Sequence, residues 1–169
     1  MKLFLHIVSF IFLSSIIILF LLDSCNEGLV PPDKITKSYL NGIITYKNSK
    51  DGWPAKDSTY AIRVVAFKSY PPGNIIEEIQ TGNAYLTLNS LPLFVDSSSF
   101  SLEIPNPPIE LKYIVIALQY DSSFFAQKAV GVFTTSGDKT KPSSIIIEGG
   151  KTYNINIDVD FTDLPPQPF

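Results

Sequence analysis

The stretch KTYNINIDVDF, residues 151–161, decides how the rest of this chain is read. Tyr153, Ile155, Ile157, Val159 and Phe161 fall on one side of an extended backbone, and Thr152, Asn154, Asn156, Asp158 and Asp160 fall on the other. That two-residue period is the mark of a strand with one buried face and one wet face. Just upstream stands SIIIE, residues 144–148, and between the two runs Gly149-Gly150 offers the pair of positive-φ positions that a type I′ turn requires. The end of the chain is therefore expected to form a β-hairpin.

The same period recurs outward from there, punctuated by turn residues every 8 to 12 positions or so, with no sustained helical spacing. Residues 40–47 (LNGIITYK), 61–70 (AIRVVAFKSY), 84–89 (AYLTLN), 100–104 (FSLEI), 113–120 (YIVIALQY) and 128–135 (KAVGVFTT) all read as strands. Residues 113–120 are apolar on both faces, as a central strand would be. Pro71-Pro72-Gly73-Asn74 suits a type II turn leading into a further strand over 75–80. Pro92 and the run Asp96-Ser97-Ser98-Ser99 argue against continuous strand between 91 and 99. Eight or nine one-sided strands in about 125 residues imply an all-β domain, and two packed antiparallel sheets are the natural way to bury them.

Composition narrows the chemistry. Of 169 residues the only cysteine is Cys25, the only histidine His6 and the only arginine Arg63. His6 lies in the apolar run 3–22 (LFLHIVSFIFLSSIIILFLL), which follows Met1-Lys2 and reads as an export segment, so the mature body holds no histidine. This excludes Ser-His-Asp and Cys-His catalysis, histidine-ligated metals and disulfides within the chain, and no cofactor is expected. Thirteen lysines and arginines against sixteen acids leave a net charge of −3, unsuited to tracking phosphates, so nucleic acid is not an expected partner.

Leu22-Asp23-Ser24-Cys25 resembles the bacterial lipoprotein box, with an aliphatic residue three before the cysteine and a small residue just before it; Asp23 stands where that family usually has a small or aliphatic residue. The resemblance implies a signal peptide over 1–24, diacylglycerol on the Cys25 thiol and membrane lipid as the partner of the anchor. The alternative is an uncleaved helix with Cys25 incidental. Asn26, where the family's inner-membrane retention signal would be an aspartate, favours the outer membrane of a bacterial envelope. Residues 25–38 carry Pro31-Pro32 and no periodicity, so they read as a tether, of which the twelve residues 26–37 could reach roughly 40 Å at about 3.3 Å per residue.

The body, residues 39–161, has a second likeness. Gly42-Ile43-Ile44, then Ile62-Arg63-Val64-Val65-Ala66-Phe67, then Phe100-Ser101-Leu102-Glu103-Ile104-Pro105 and Tyr113-Ile114-Val115-Ile116-Ala117 are similar to prealbumin-like sandwiches and to carboxypeptidase-regulatory-like modules of bacterial envelope proteins. That resemblance implies an Ig-like or prealbumin-like sandwich acting as an accessory, adhesive or structural unit, and it brings no catalytic residues.

Trp53, in the polar loop 48–59, is a candidate for stacking on a sugar or anchoring an envelope protein, against the alternative that it caps one end of the body. Tyr70, Phe124 and Phe125 are further ligand-contact candidates at strand ends, against the alternative that Phe124-Phe125 staples its loop to the core. Asp158, Asp160 and Asp163 could contribute oxygens to a calcium site, but their spacing is not that of a calcium loop, and solvated surface charge is the expected role. Glu77, Glu78, Glu103 and Glu110 are available in principle for glycoside hydrolysis, yet no long catalytic loop accompanies them and no enzyme is expected. Alternatives to a general binding or structural module are a pilin-like fimbrial subunit and a carbohydrate-binding module. The tail 162–169 (TDLPPQPF), with Pro165, Pro166 and Pro168, is expected to be disordered or loosely docked.

Overall fold

The structure, a computed structural model, describes residues 36–168. The expected signal peptide, Cys25 and the tether as far as residue 35 lie outside the described residues, as does Phe169. Nine strands and one short helix follow in the order β1 (Ser38–Tyr46), β2 (Ala61–Phe67), α1 (Ile75–Gln80), β3 (Ala84–Leu86), β4 (Ser97–Ile104), β5 (Ile109–Leu111), β6 (Tyr113–Gln119), β7 (Gln127–Val132), β8 (Ile145–Ile147) and β9 (Thr152–Val159). Among the described residues no helix is long and apolar enough to cross a membrane. The chain is thus mostly β, as its period-two pattern requires.

The strands form three sheets, ordered β4-β1-β9, β3-β2-β6-β7 and β5-β8. In the first, β1 pairs antiparallel with β4 and parallel with β9, with Ile44 opposite Ser98 on one side and Ile157 on the other. The second is antiparallel throughout, with one register shift between β6 and β7. The parallel β1–β9 pair departs from the wholly antiparallel pairing expected from the sequence.

That pair also displaces the expected hairpin. β8 pairs with β5 rather than with β9, and β9 joins β1 in a different sheet. Of the two glycines between them only Gly150 has positive φ, at 71°, so a type I′ turn does not form. The junction is held instead by Ser38, whose hydroxyl donates to the carbonyl of Glu148 at 2.6 Å while its oxygen accepts from the Lys151 amide at 3.3 Å. Local turn chemistry permitted the hairpin, but burial of Ile155, Ile157 and Val159 beside β1 governs where β9 goes.

Residues 75–80 are helix, not strand. The Asn74 side chain accepts from the amides of Ile76 at 2.9 Å and Glu77 at 3.3 Å, and Glu77 and Glu78 occupy the first turn, where carboxylates suit the helix dipole. The asparagine followed three residues later by Glu77 is a readable N-terminal signature. Ile75, Ile76 and Ile79 then fall on one side of the helix and pack, with Val65, Phe67, Tyr113, Val115, Ala117, Ala129 and Val132, on one face of the four-stranded sheet. The opposite face contributes Ile62, Val64, Ala66, Ile114, Ile116, Leu118 and Val130 to a larger core shared with Leu40, Ile44 and Tyr46 of β1, Phe100, Leu102 and Ile104 of β4, and Ile155, Ile157 and Val159 of β9. This is why β2 and β6 are apolar on both faces.

A smaller correction concerns the serines, and the tail takes the docked of the two states expected of it. Ser97, Ser98 and Ser99 begin β4, with Ser98 buried and its hydroxyl 3.0 Å from the Tyr46 phenol. The tail is docked: Pro165 is buried, and the Gln167 amide accepts from the Ala129 N–H at 2.8 Å and donates to the Ala129 carbonyl at 2.9 Å. A side chain thereby occupies the place of a neighbouring strand along β7. Prolines that cannot donate to a ladder do not prevent docking through one glutamine between them.

Candidate functional site

The candidate aromatics do not come together. After β1, Asn48 and Ser49 take the left-handed conformation and a single 3₁₀ turn, Ser49–Gly52, brings Trp53 back onto the body. Its indole is 9% exposed and donates to the Val95 carbonyl at 3.0 Å. Around it lie the rings of Tyr46, Phe161 and Phe94, with centroids 4.4, 5.0 and 5.3 Å away. Three rings and a backbone carbonyl therefore engage Trp53 inside the protein, which is the end-capping arrangement.

Tyr70 is partly exposed and stands 5.1 Å from the ring of Tyr113, whose phenol burial holds well above the ordinary tyrosine range. Phe124 sits beneath the Arg63 guanidinium, 5.9 Å from ring centre to cation. Phe125, 72% exposed, lines an open hollow of about 400 Å³ with Pro72, Ile75, Tyr120, Gln127 and Pro168. The sequence offered no sign that Tyr120 and the tail would join Phe125 here, because the hollow is built from three separated segments.

The carboxylates are dispersed in the same way. Glu77 and Glu78 are on α1, Glu103 is on β4 in an ion pair with Lys37 at 2.7 Å, and Glu110 is on β5. Among the described residues no group of three or more potential ligands is placed to hold a metal ion. Asp158 is exposed, and Asp163 pairs with Lys139 at 2.9 Å.

Asp160 differs from the solvated charge expected of it, being only 8% exposed just past the end of β9. Lys47 donates to its Oδ2 at 2.6 Å, while the amide and hydroxyl of Thr162 donate to Oδ1 at 2.9 and 2.6 Å. The Lys47 ammonium, and then the Thr162 donors, hold its carboxyl far below the usual carboxylate range. A depressed carboxyl contributes stability that is present above the unfolded-state value and lost as pH falls through the folded one. Asp160→Asn is accordingly expected to flatten the decline of the thermal midpoint between roughly pH 5 and pH 2. A variant with the wild-type acid profile would show that another group governs it.

No protein-family model matches the chain, and no curated protein matches it. Among solved structures it is similar to part of a leucine-rich repeat protein from Bacteroides thetaiotaomicron, at 7% sequence identity and a TM-score of 0.33. The match covers 76% of this chain and 14% of that one.

Proposed function

We propose that this chain is a lipid-anchored protein of the bacterial envelope, a tethered, non-catalytic binding, adhesive or structural module built on a prealbumin-like sandwich. The observation that carries the reading is the position of Cys25, the only cysteine in the chain, three residues after an apolar run that ends at Leu22. Acylation there would convert an otherwise unpaired exported thiol into an attachment point, and several acyl chains at roughly 0.8 kcal/mol per buried CH₂ would make attachment durable. The sandwich reading is supported by the core that β1, β4 and β9 share with β2, β6 and β7. The non-catalytic reading is supported by the histidine-free body and by the scattering of its glutamates over α1, β4 and β5.

The anchor is tested by Cys25→Ala in a bacterial host fed a labelled fatty acid. The variant is expected to lose the acyl label completely and to leave the membrane fraction if the signal is cleaved. Label retained at the wild-type level would overturn the lipoprotein reading.

A further inference from the structure

The strand edges of this body are guarded unequally. β3, β5 and β8 are three residues long, β7 is capped by the Gln167 amide, and β9 carries Asp158 on its outward row. Short length, capping and charge are the usual ways of keeping an edge from pairing with another chain. Among the described residues β4 has none of them. It is an eight-residue edge strand, SSSFSLEI, uncharged from Ser97 to Leu102, without proline, and its Glu103 is already neutralised by Lys37.

Which backbone groups of this edge lack a partner among the described residues follows from the ladder with β1. The Tyr46 amide donates to the Asp96 carbonyl, and antiparallel ladders alternate. Ser98, Phe100, Leu102 and Ile104 therefore turn their backbone groups toward β1, and Ser97, Ser99, Ser101 and Glu103 turn theirs outward. A groove of about 590 Å³ runs beside them, between Ser99–Glu103 and the segment that contains β3 and Leu88, a leucine 92% exposed at the lip.

We propose that β4 pairs antiparallel with β4 of a second copy about a two-fold axis, joining two β4-β1-β9 sheets into one six-stranded sheet. Opposed residues must share a face, so the sum of their numbers is even. With Phe100 on the axis, Ser99 meets Ser101 of the other copy and Ser97 meets Glu103, and all four outward-facing residues of each copy exchange both backbone hydrogen bonds. Moving the axis to Ser101 would set Ser97 against Pro105, which has no N–H to give. The preferred register opposes no like charges, since each Glu103 faces a serine. It is this self-complementarity that selects a second copy as the occupant, and it holds whether or not Cys25 is acylated.

The test is native mass spectrometry of the full-length chain in detergent over a range of concentrations, with amide hydrogen exchange. Wild type is expected to give a dimer, with exchange at Ser97, Ser99, Ser101 and Glu103 slowing as the dimer forms. Ser101→Pro removes an outward N–H without touching the β1 ladder, and Ser101→Lys places a charge on the edge. Each is expected to weaken the dimer at least about tenfold while keeping the wild-type far-ultraviolet circular dichroism. A wild type that stays monomeric at every concentration would overturn the proposal. So would a dimer that both substitutions leave intact, or open-ended oligomers in place of a closed pair, which would instead indicate a donated segment on this edge.

Discussion

Trp53→Ala is expected to lower folding stability by about 3–5 kcal/mol, the range for truncating a large buried aromatic. The indole is packed among Tyr46, Phe94 and Phe161, and its N–H is the partner of the Val95 carbonyl. Removal leaves a cavity between the end of β1 and the segment after β9, and the lining rings lose their contacts with the indole. Trp53→Phe keeps much of the packing and loses the hydrogen bond, so a smaller cost of about 1–2 kcal/mol is expected. Urea unfolding followed by circular dichroism measures both, since the only tryptophan cannot serve as a probe once it is replaced. A midpoint unchanged in Trp53→Ala would mean that the indole is a surface group and would restore it as a ligand contact.

Gly42→Ala is expected to cost about 3 kcal/mol or more, at the upper end for overpacking a well-filled interior. Gly42 lies in the middle strand of its sheet, opposite Phe100 on β4 and Ile155 on β9. A Cβ there would meet the Ile155 carbonyl oxygen far inside contact distance and the Phe100 ring carbons at 2.5 and 2.7 Å. The ring could turn aside, but the carbonyl belongs to the ladder and cannot. Phe100→Leu is therefore expected to rescue Gly42→Ala only in part. Gly82→Ala is a useful contrast, because φ is +72° there and nothing lies within 4 Å of the added carbon. Its cost is backbone strain alone, about 1 kcal/mol. Equal midpoints for the two variants in urea would show that close approach is not what Gly42 provides.

The two glycine variants separate what a pattern reveals from what it hides. Gly42 was legible as part of a Gly-Ile-Ile run in the strand that opens the domain, but the reason for it lies 58 and 113 residues away in sequence, at Phe100 and Ile155. The helix α1 was legible in principle through Asn74 and Glu77, yet its isoleucines equally suited a strand after a proline turn. The candidate site was less legible still. Trp53 in a loop of turn-formers looks available for recognition until Tyr46, Phe94 and Phe161 are seen to close around it. Asp160 looks like one more wet alternate residue until Lys47 and Thr162 enclose it.

The sequence by itself determined that the body is built of strands, where most of them run, and that histidine and disulfide chemistry are absent from it, because side-chain alternation and residue inventory are local properties. Tertiary structure alone decided which strands are neighbours. β9 leaves β8 for a parallel place beside β1, and β5, unmarked in the sequence, becomes the partner of β8. Those choices are made by which apolar faces fill a common core, and a core assembled from segments more than a hundred residues apart has no signature in any one of them.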